Sequence, residues 1–402
     1  MTAASVSRAE LVEKARRFPA RTFTLFGAVL AVVGGAAFLW ALSVGETGRA
    51  WQSWHFNFMF WTALAQGMVV FAATQKLAKG HWSGVIIRLA EAGSAFLRVS
   101  LVLFIGLIVG RGHIFSWLRD LRPDLGSWLT VKTFFLRNGA IYALLTWLSW
   151  RFVQRDMAPD IRELAEGRPA DRLENRDAIM RAAAVLVVAY AFGYSLLAFD
   201  LIMSLAHKWV SSLFGVFYFM GSYLAALMAL AVLAIAVRRR MGLDAVFSSR
   251  QQHDLGKLCF GFTVFWAYLM WSQFLVIWYG NLPEETFFIF YRLIDPWRPF
   301  GIAVFLLVFV LPFIGLLGVK PKKSSLLLTT FALVSLLGIW LERYLEIVPS
   351  INGRAGPALG VPEIGVALLF GGLFLASLGW FGARYPMLSP RLAADAVERE
   401  RH

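Results

Sequence analysis

The chain has 402 residues, 58% hydrophobic and 16% charged, with a formal net charge of +14. A soluble domain carries about 25% charged residues, so the composition predicts an all-α polytopic membrane protein and excludes a soluble enzyme. The single cysteine, Cys259, excludes an internal disulfide, a thiolate-ligated iron–sulfur cluster and a C-x-x-C-H haem attachment.

Residues 1–21 are basic and amphipathic (SRAELVEKARRFPAR). The apolar run after them is long enough to stay as a helix, so no cleaved leader is expected. A spanning helix needs about 20 apolar residues. Ten candidates follow in order, at 22–44, 53–75, 84–109, 132–153, 179–203, 210–236, 257–279, 299–318, 325–347 and 364–383. With the N-terminus placed inside, the inner segments hold 26 Lys and Arg and the outer ones nine, which predicts both termini on the cytoplasmic side. The positive charge is then topological, and no nucleic-acid partner is expected. Residues 154–177 form the longest polar stretch and read as an amphipathic loop at the inner surface. The spans divide into a cytoplasmic N-terminus with helix 1 (1–52), two four-helix bundles (53–205 and 206–350) and helix 10 with a cytoplasmic tail (351–402).

Polar residues inside the spans mark the candidate sites, because a charge at a helix centre costs about 2.5–3.5 kcal/mol on insertion scales. In helix 2, His55, Thr62 and Gln66 share a face within about 40°. His55 beside Trp51 and Trp54 is either an interfacial anchor or a partner for an amphipathic ligand. In helix 3, Arg88, Glu91 and Arg98 fall within about 80° on one stripe facing the bundle interior. That stripe is either a polar track for protons or an Arg–Glu–Arg network joining helices. Helix 5 carries Tyr190, Tyr194 and, at its outer end, Asp200, followed by His207, Lys208 and Trp209. Asp200 is either a cap paired with His207 or Lys208, or a proton-exchanging carboxylate. Helix 7 begins at inner His253–Asp254 and places Tyr268, Ser272 and Tyr279 on one face. Glu342 and Glu346 stand one turn apart near the end of helix 9. The six histidines supply no deep pair for a b-type haem, and no Walker, nucleophile-elbow or zinc spacing occurs.

Three segments carry a resemblance: AFDLIMSLAHKWVSSLFGVFYFMGSY (198–223), HDLGKLCFGFTVFWAYLMWSQFLVIWYGNLPEE (253–285) and LERYLEIVPS (341–350). With them the chain resembles, over nearly its whole length, the NrfD/PsrC-like integral membrane family, and within it the ActF-type subunits of alternative complex III. The resemblance implies two four-helix bundles with two flanking helices, in the inner membrane of a bacterium. It implies a quinol:acceptor oxidoreductase that passes electrons to cytochrome c or directly to a terminal oxidase. The partners it implies are an iron–sulfur subunit, c-type cytochrome subunits carrying haem c, and a paralogous NrfD-like ActC subunit. This chain would bind no redox cofactor alone and would contribute to quinol binding, to proton translocation, or to both. On that reading the proton-path candidates are Glu91, Arg98, Tyr190, Tyr194, Asp200, His253 and Asp254, and the quinone-binding candidates are His55, Gln66, Asp200 and His207. A stand-alone proton-coupled secondary transporter and a purely structural membrane anchor are the alternatives. The spans lack the paired midplane Gly/Pro breaks of many transporters, with Pro312 the only deep proline.

Overall fold

In a computed structural model of the chain, the described residues are 8–15, 17–118, 126, 128–167, 175–206, 209–244 and 246–400, and they contain no strand. A short helix α1 (Arg8–Ala15) precedes the first long one, α2 (Ala20–Ser43). The first bundle consists of α3 (Thr47–Leu77), the broken pair α4 (Ile87–Glu91) and α5 (Gly93–Val109), α6 (Val131–Glu166) and α7 (Arg176–Leu201). Next come α8 (Phe214–Arg240), α9 (Ser249–Gly280), a short helix α10 (Pro283–Leu293), α11 (Arg298–Leu316) and α12 (Ser325–Asn352). Of these, α8, α9, α11 and α12 pack as the second bundle. The chain closes with α13 (Val361–Arg384) and α14 (Pro390–Glu400).

Nine helices among the described residues are long and apolar enough to cross a membrane. The tenth expected span, α6, is not among them, although it packs on α5 and α7 as the fourth helix of its bundle. Its charges Lys132, Arg137 and Arg151 thin the apolar run. Because α1 packs against α14, the two terminal helices lie at one end of the molecule, which requires an even number of crossings. Counting α6 as a crossing gives that even number.

The bundles meet along α3 and α8, and α3 is buried along most of its length between them. Helices α2 and α13 pair with each other and lie against α3 and α5, so both flank the first bundle. Small residues set their separation: a Cβ on Gly34 would stand 2.2 Å from the Leu369 amide nitrogen, and one on Gly372 2.4 Å from that of Ala31. Such close backbone approach supplies the van der Waals contact that lipid-exposed helices need to associate.

Two local features depart from the sequence reading. The third span is not one straight helix from 84: a 3₁₀ turn covers His81–Val85, and the helix breaks at Ala92. The polar stretch expected as a surface loop instead continues α6 as helix to Glu166, and residues 168–174 lie outside the described part. The eighth span holds a π turn at Leu306–Val310 just before Pro312, where the proline has no N–H to continue the ladder.

Candidate functional site

Arg88 of α4, wholly buried, stands against the far end of α6. Its Nε donates to Asp160 Oδ2 at 3.1 Å, its Nη1 to Asp156 Oδ2 at 3.1 Å, and its Nη2 to the Asp156 carbonyl at 2.9 Å. It also pairs with Glu91 one turn on. Lys76 at the end of α3 reaches Asp156 at 2.8 Å, and Arg391 of α14 lies 3.5 Å from Asp160. Three cations thus face three carboxylates in a buried network that joins α3, α4, α6 and α14. Burying a charge is costly unless it is paired and hydrogen-bonded, and here every member has an opposite charge in contact.

Along α6, Asn138, Tyr142, Ser149, Asp156 and Asp160 are all buried and fall on one helical face within about 40°. The N-terminal end of this face meets Asp200. That carboxylate accepts from Arg137 Nε at 2.8 Å, Asn138 Nδ2 at 2.9 Å and Trp128 Nε1 at 3.2 Å. Its partner is therefore Arg137 across the bundle. His207 and Lys208, the partners expected from sequence, lie outside the described residues, as does any quinone role for His207.

In the second bundle, Arg343 of α12 is buried between two carboxylates of its own helix. Its Nη1 lies 2.6 Å from Glu346 Oε2 and its Nη2 3.5 Å from Glu342 Oε2. Trp266 Nε1 donates to Glu342 Oε1 at 2.8 Å. Glu342 Oε2 and Glu346 Oε1 make no hydrogen bond although both are buried. The two carboxylates border a cavity of about 180 Å³ whose walls include Phe217, Trp266, Met270 and Phe288. Arg292 of α10 seals one side by donating to the carbonyls of Leu345 at 2.9 Å and Glu346 at 2.7 Å.

A polar line leads from this cluster toward the first bundle. The Arg343 guanidinium lies 4.4 Å from the centre of the Tyr218 ring, and Tyr218 stacks on Tyr194 at 6.1 Å. Tyr194 donates to the Thr62 carbonyl at 3.2 Å, and Tyr190, 4.9 Å from it between ring centres, donates to the Phe219 carbonyl at 2.6 Å. One turn beyond Thr62, Gln66 Nε2 donates to Ser149 Oγ at 2.8 Å on the polar face of α6.

The structure thus brings Glu91 into the Arg88 network, places Tyr190 and Tyr194 between the bundles, and sets Asp200 in a clamp with Arg137, Asn138 and Trp128. It separates the remainder. Arg98, further along α5, does not join the Arg88 network and is held instead by aromatic rings. It is half-buried, with its guanidinium 3.9 Å from the Trp150 ring centre and 4.6 Å from that of Trp380. His253 and Asp254 lie at the start of α9, where Asp254 pairs locally with Lys257 at 2.6 Å. His55 is wholly buried. It packs on Phe115 at 5.4 Å, with neither ring nitrogen in a hydrogen bond of standard geometry and the Leu201 backbone as the polar group beside it. Neither His55, Gln66 nor Asp200 borders the aromatic cavity, which belongs to the second bundle. Sequence reasoning missed Asp156 and Asp160, whose signal was their register with Asn138 and Ser149. It also gave Arg343 no role, although Arg88-x-x-Glu91 and Arg343-x-x-Glu346 repeat one motif, once in each bundle.

Among the described residues, no group of three His, Cys, Asp or Glu side chains is placed to hold a metal ion. No model of a known protein family matches the chain, and no curated protein matches it.

Proposed function

We propose that this chain is an integral membrane subunit of a quinol-oxidising electron-transfer complex, oriented with both termini in the cytoplasm. It binds quinol, conducts protons, or does both, and carries no redox centre of its own. The observation that supports this reading is the aromatic cavity bordered by Glu342 and Glu346. At about 180 Å³ it is smaller than the ~300–1,000 Å³ of a typical ligand pocket. It suits a single ring whose apolar tail remains in lipid. The aromatic walls hold such a ring, and Glu342 Oε2 and Glu346 Oε1, neither of which is in a hydrogen bond, accept hydrogen bonds from its hydroxyls. Oxidation of one quinol to quinone releases two protons and two electrons. The carboxylates take up the protons, and the electrons leave to iron–sulfur or haem c centres held by partner subunits.

The transporter alternative draws on the broken helices α4–α5 and α11. Inverted-repeat transporters place their breaks at corresponding positions in the two halves. Here one break is in the second helix of its bundle and the other in the third, which favours the redox-complex reading.

Purification from native membranes tests it. The expected outcome is co-purification with iron–sulfur and c-type haem subunits. In that complex, Glu346→Gln should lower quinol turnover at least about tenfold, as removal of a positioned proton acceptor does. Isolation of the chain without redox subunits, or an assembled Glu346→Gln complex with wild-type turnover, counts against the proposal.

A further inference from the structure

A second cavity, of about 410 Å³, lies where the end of α3, the 3₁₀ turn at His81–Val85, the start of α7 and α14 come together. Four cations border it: Lys76, Lys79, Arg176 and Arg391. Two carboxylates also border it, and both are engaged. Asp156 is held by Lys76 at 2.8 Å and Asp395 by His81 at 2.6 Å. Lys79 and Arg176 are exposed, and neither makes an ion pair with a described residue. The lining therefore has an excess of two positive charges, and the two cations without partners stand at its mouth. The N-terminus of α7 adds to this charge, because Asn175 gives it no side-chain cap and the first-turn N–H groups carry the positive end of the helix dipole. Asp177 in that turn is exposed and does not border the cavity.

We propose that this cavity binds a phosphate group. Lys79, Arg176 and the start of α7 contact its oxygens, while Lys76 and Arg391 hold the floor in place. The chemistry is shared by an anionic phospholipid headgroup and by free inorganic phosphate. The place in the fold suits the headgroup, since the cavity lies at the ends of spanning helices, where basic pockets between helices take anionic lipids. The site is separate from the aromatic cavity and does not depend on the quinol reading.

The test uses the full-length chain in detergent, titrated with phosphatidylglycerol, phosphatidylcholine or inorganic phosphate while thermal stability and retained lipid (by native mass spectrometry) are followed. Lys79→Gln/Arg176→Gln removes both unpaired cations without touching the Arg88 network. The expected result is stabilisation of wild type by phosphatidylglycerol and not by phosphatidylcholine, with apparent affinity lowered roughly tenfold or more in the double variant. Equal stabilisation by inorganic phosphate, lost in the variant, assigns the site to the free anion. Equal response to both lipids, or unchanged phosphatidylglycerol binding in the variant, overturns the proposal. The single variants Lys79→Gln and Arg176→Gln serve the same comparison if the double variant does not fold.

Discussion

Asp200, only 2% exposed, illustrates what a buried carboxylate does once its surroundings are known. Three donors converge on it, and Arg137 also stacks on Trp128 with its guanidinium 3.8 Å from the ring centre. Both of its oxygens are held, Oδ2 by Arg137 and Asn138 and Oδ1 by Trp128. These bonds clamp the end of α7 to the start of α6. Asp200→Asn keeps the shape but leaves Arg137 without a counter-charge, so the chain should lose about 1–3 kcal/mol of stability. The double variant Asp200→Asn/Arg137→Met should recover part of that loss. Chemical denaturation in detergent measures both, and an Asp200→Asn chain as stable as wild type would rule the clamp out. The sequence marked Asp200 as unusual but offered only its neighbours as partners. The true partner stands 63 residues away, a choice made by helix packing, which local pattern does not reveal.

At the scale of the element, helix α2 was legible from its apolar run alone: 22–44 was expected and Ala20–Ser43 is observed. What holds it is the contact with α13. At Gly34 an added methyl would stand within 2.2 Å of backbone, whereas at Gly35 the nearest atom is a Leu369 side-chain methyl at 4.0 Å. Gly34→Ala should therefore cost about 1–3 kcal/mol through overpacking, while Gly35→Ala should be close to neutral. Thermal unfolding of the two variants side by side measures the difference, and equal midpoints would mean that the helices separate without cost. Helix α6 was legible only in part. Reading hydropathy ends it near residue 153, where charges begin; reading its polar face carries it through Asp156 and Asp160. The charges that looked like the end of a span are buried against Arg88. Hydropathy scores each residue against lipid and cannot recognise a carboxylate that meets a cation from another helix.

Over the whole molecule, the two Arg-x-x-Glu clusters occupy opposite ends. Helices α4–α5 and α12 run in the same direction, because five crossings, an odd number, lie between them. Arg88 stands at the start of the first, and Arg343 two-thirds of the way along the second. Between the clusters run Tyr218, Tyr194, the Thr62 carbonyl and the Gln66–Ser149 pair. This line crosses from one bundle to the other as it crosses the interior, and it uses the Tyr194 predicted from sequence while leaving Arg98, Asp200 and His253 aside. If the proposed subunit conducts protons, the line is its route, since protons released beside Glu346 and protons taken up beside Glu91 need hydroxyls and amides to pass along. Tyr194→Phe tests this with little structural change: the ring and its stacking remain, and one hydrogen bond worth about 1 kcal/mol is lost. In the intact complex in sealed vesicles, the variant should assemble and oxidise quinol while moving fewer protons per electron pair. Glu91→Gln should lower the same ratio from the other end. Should both variants keep the wild-type proton ratio, the line between the clusters is scaffolding, and the buried charges serve only to hold ten helices in register.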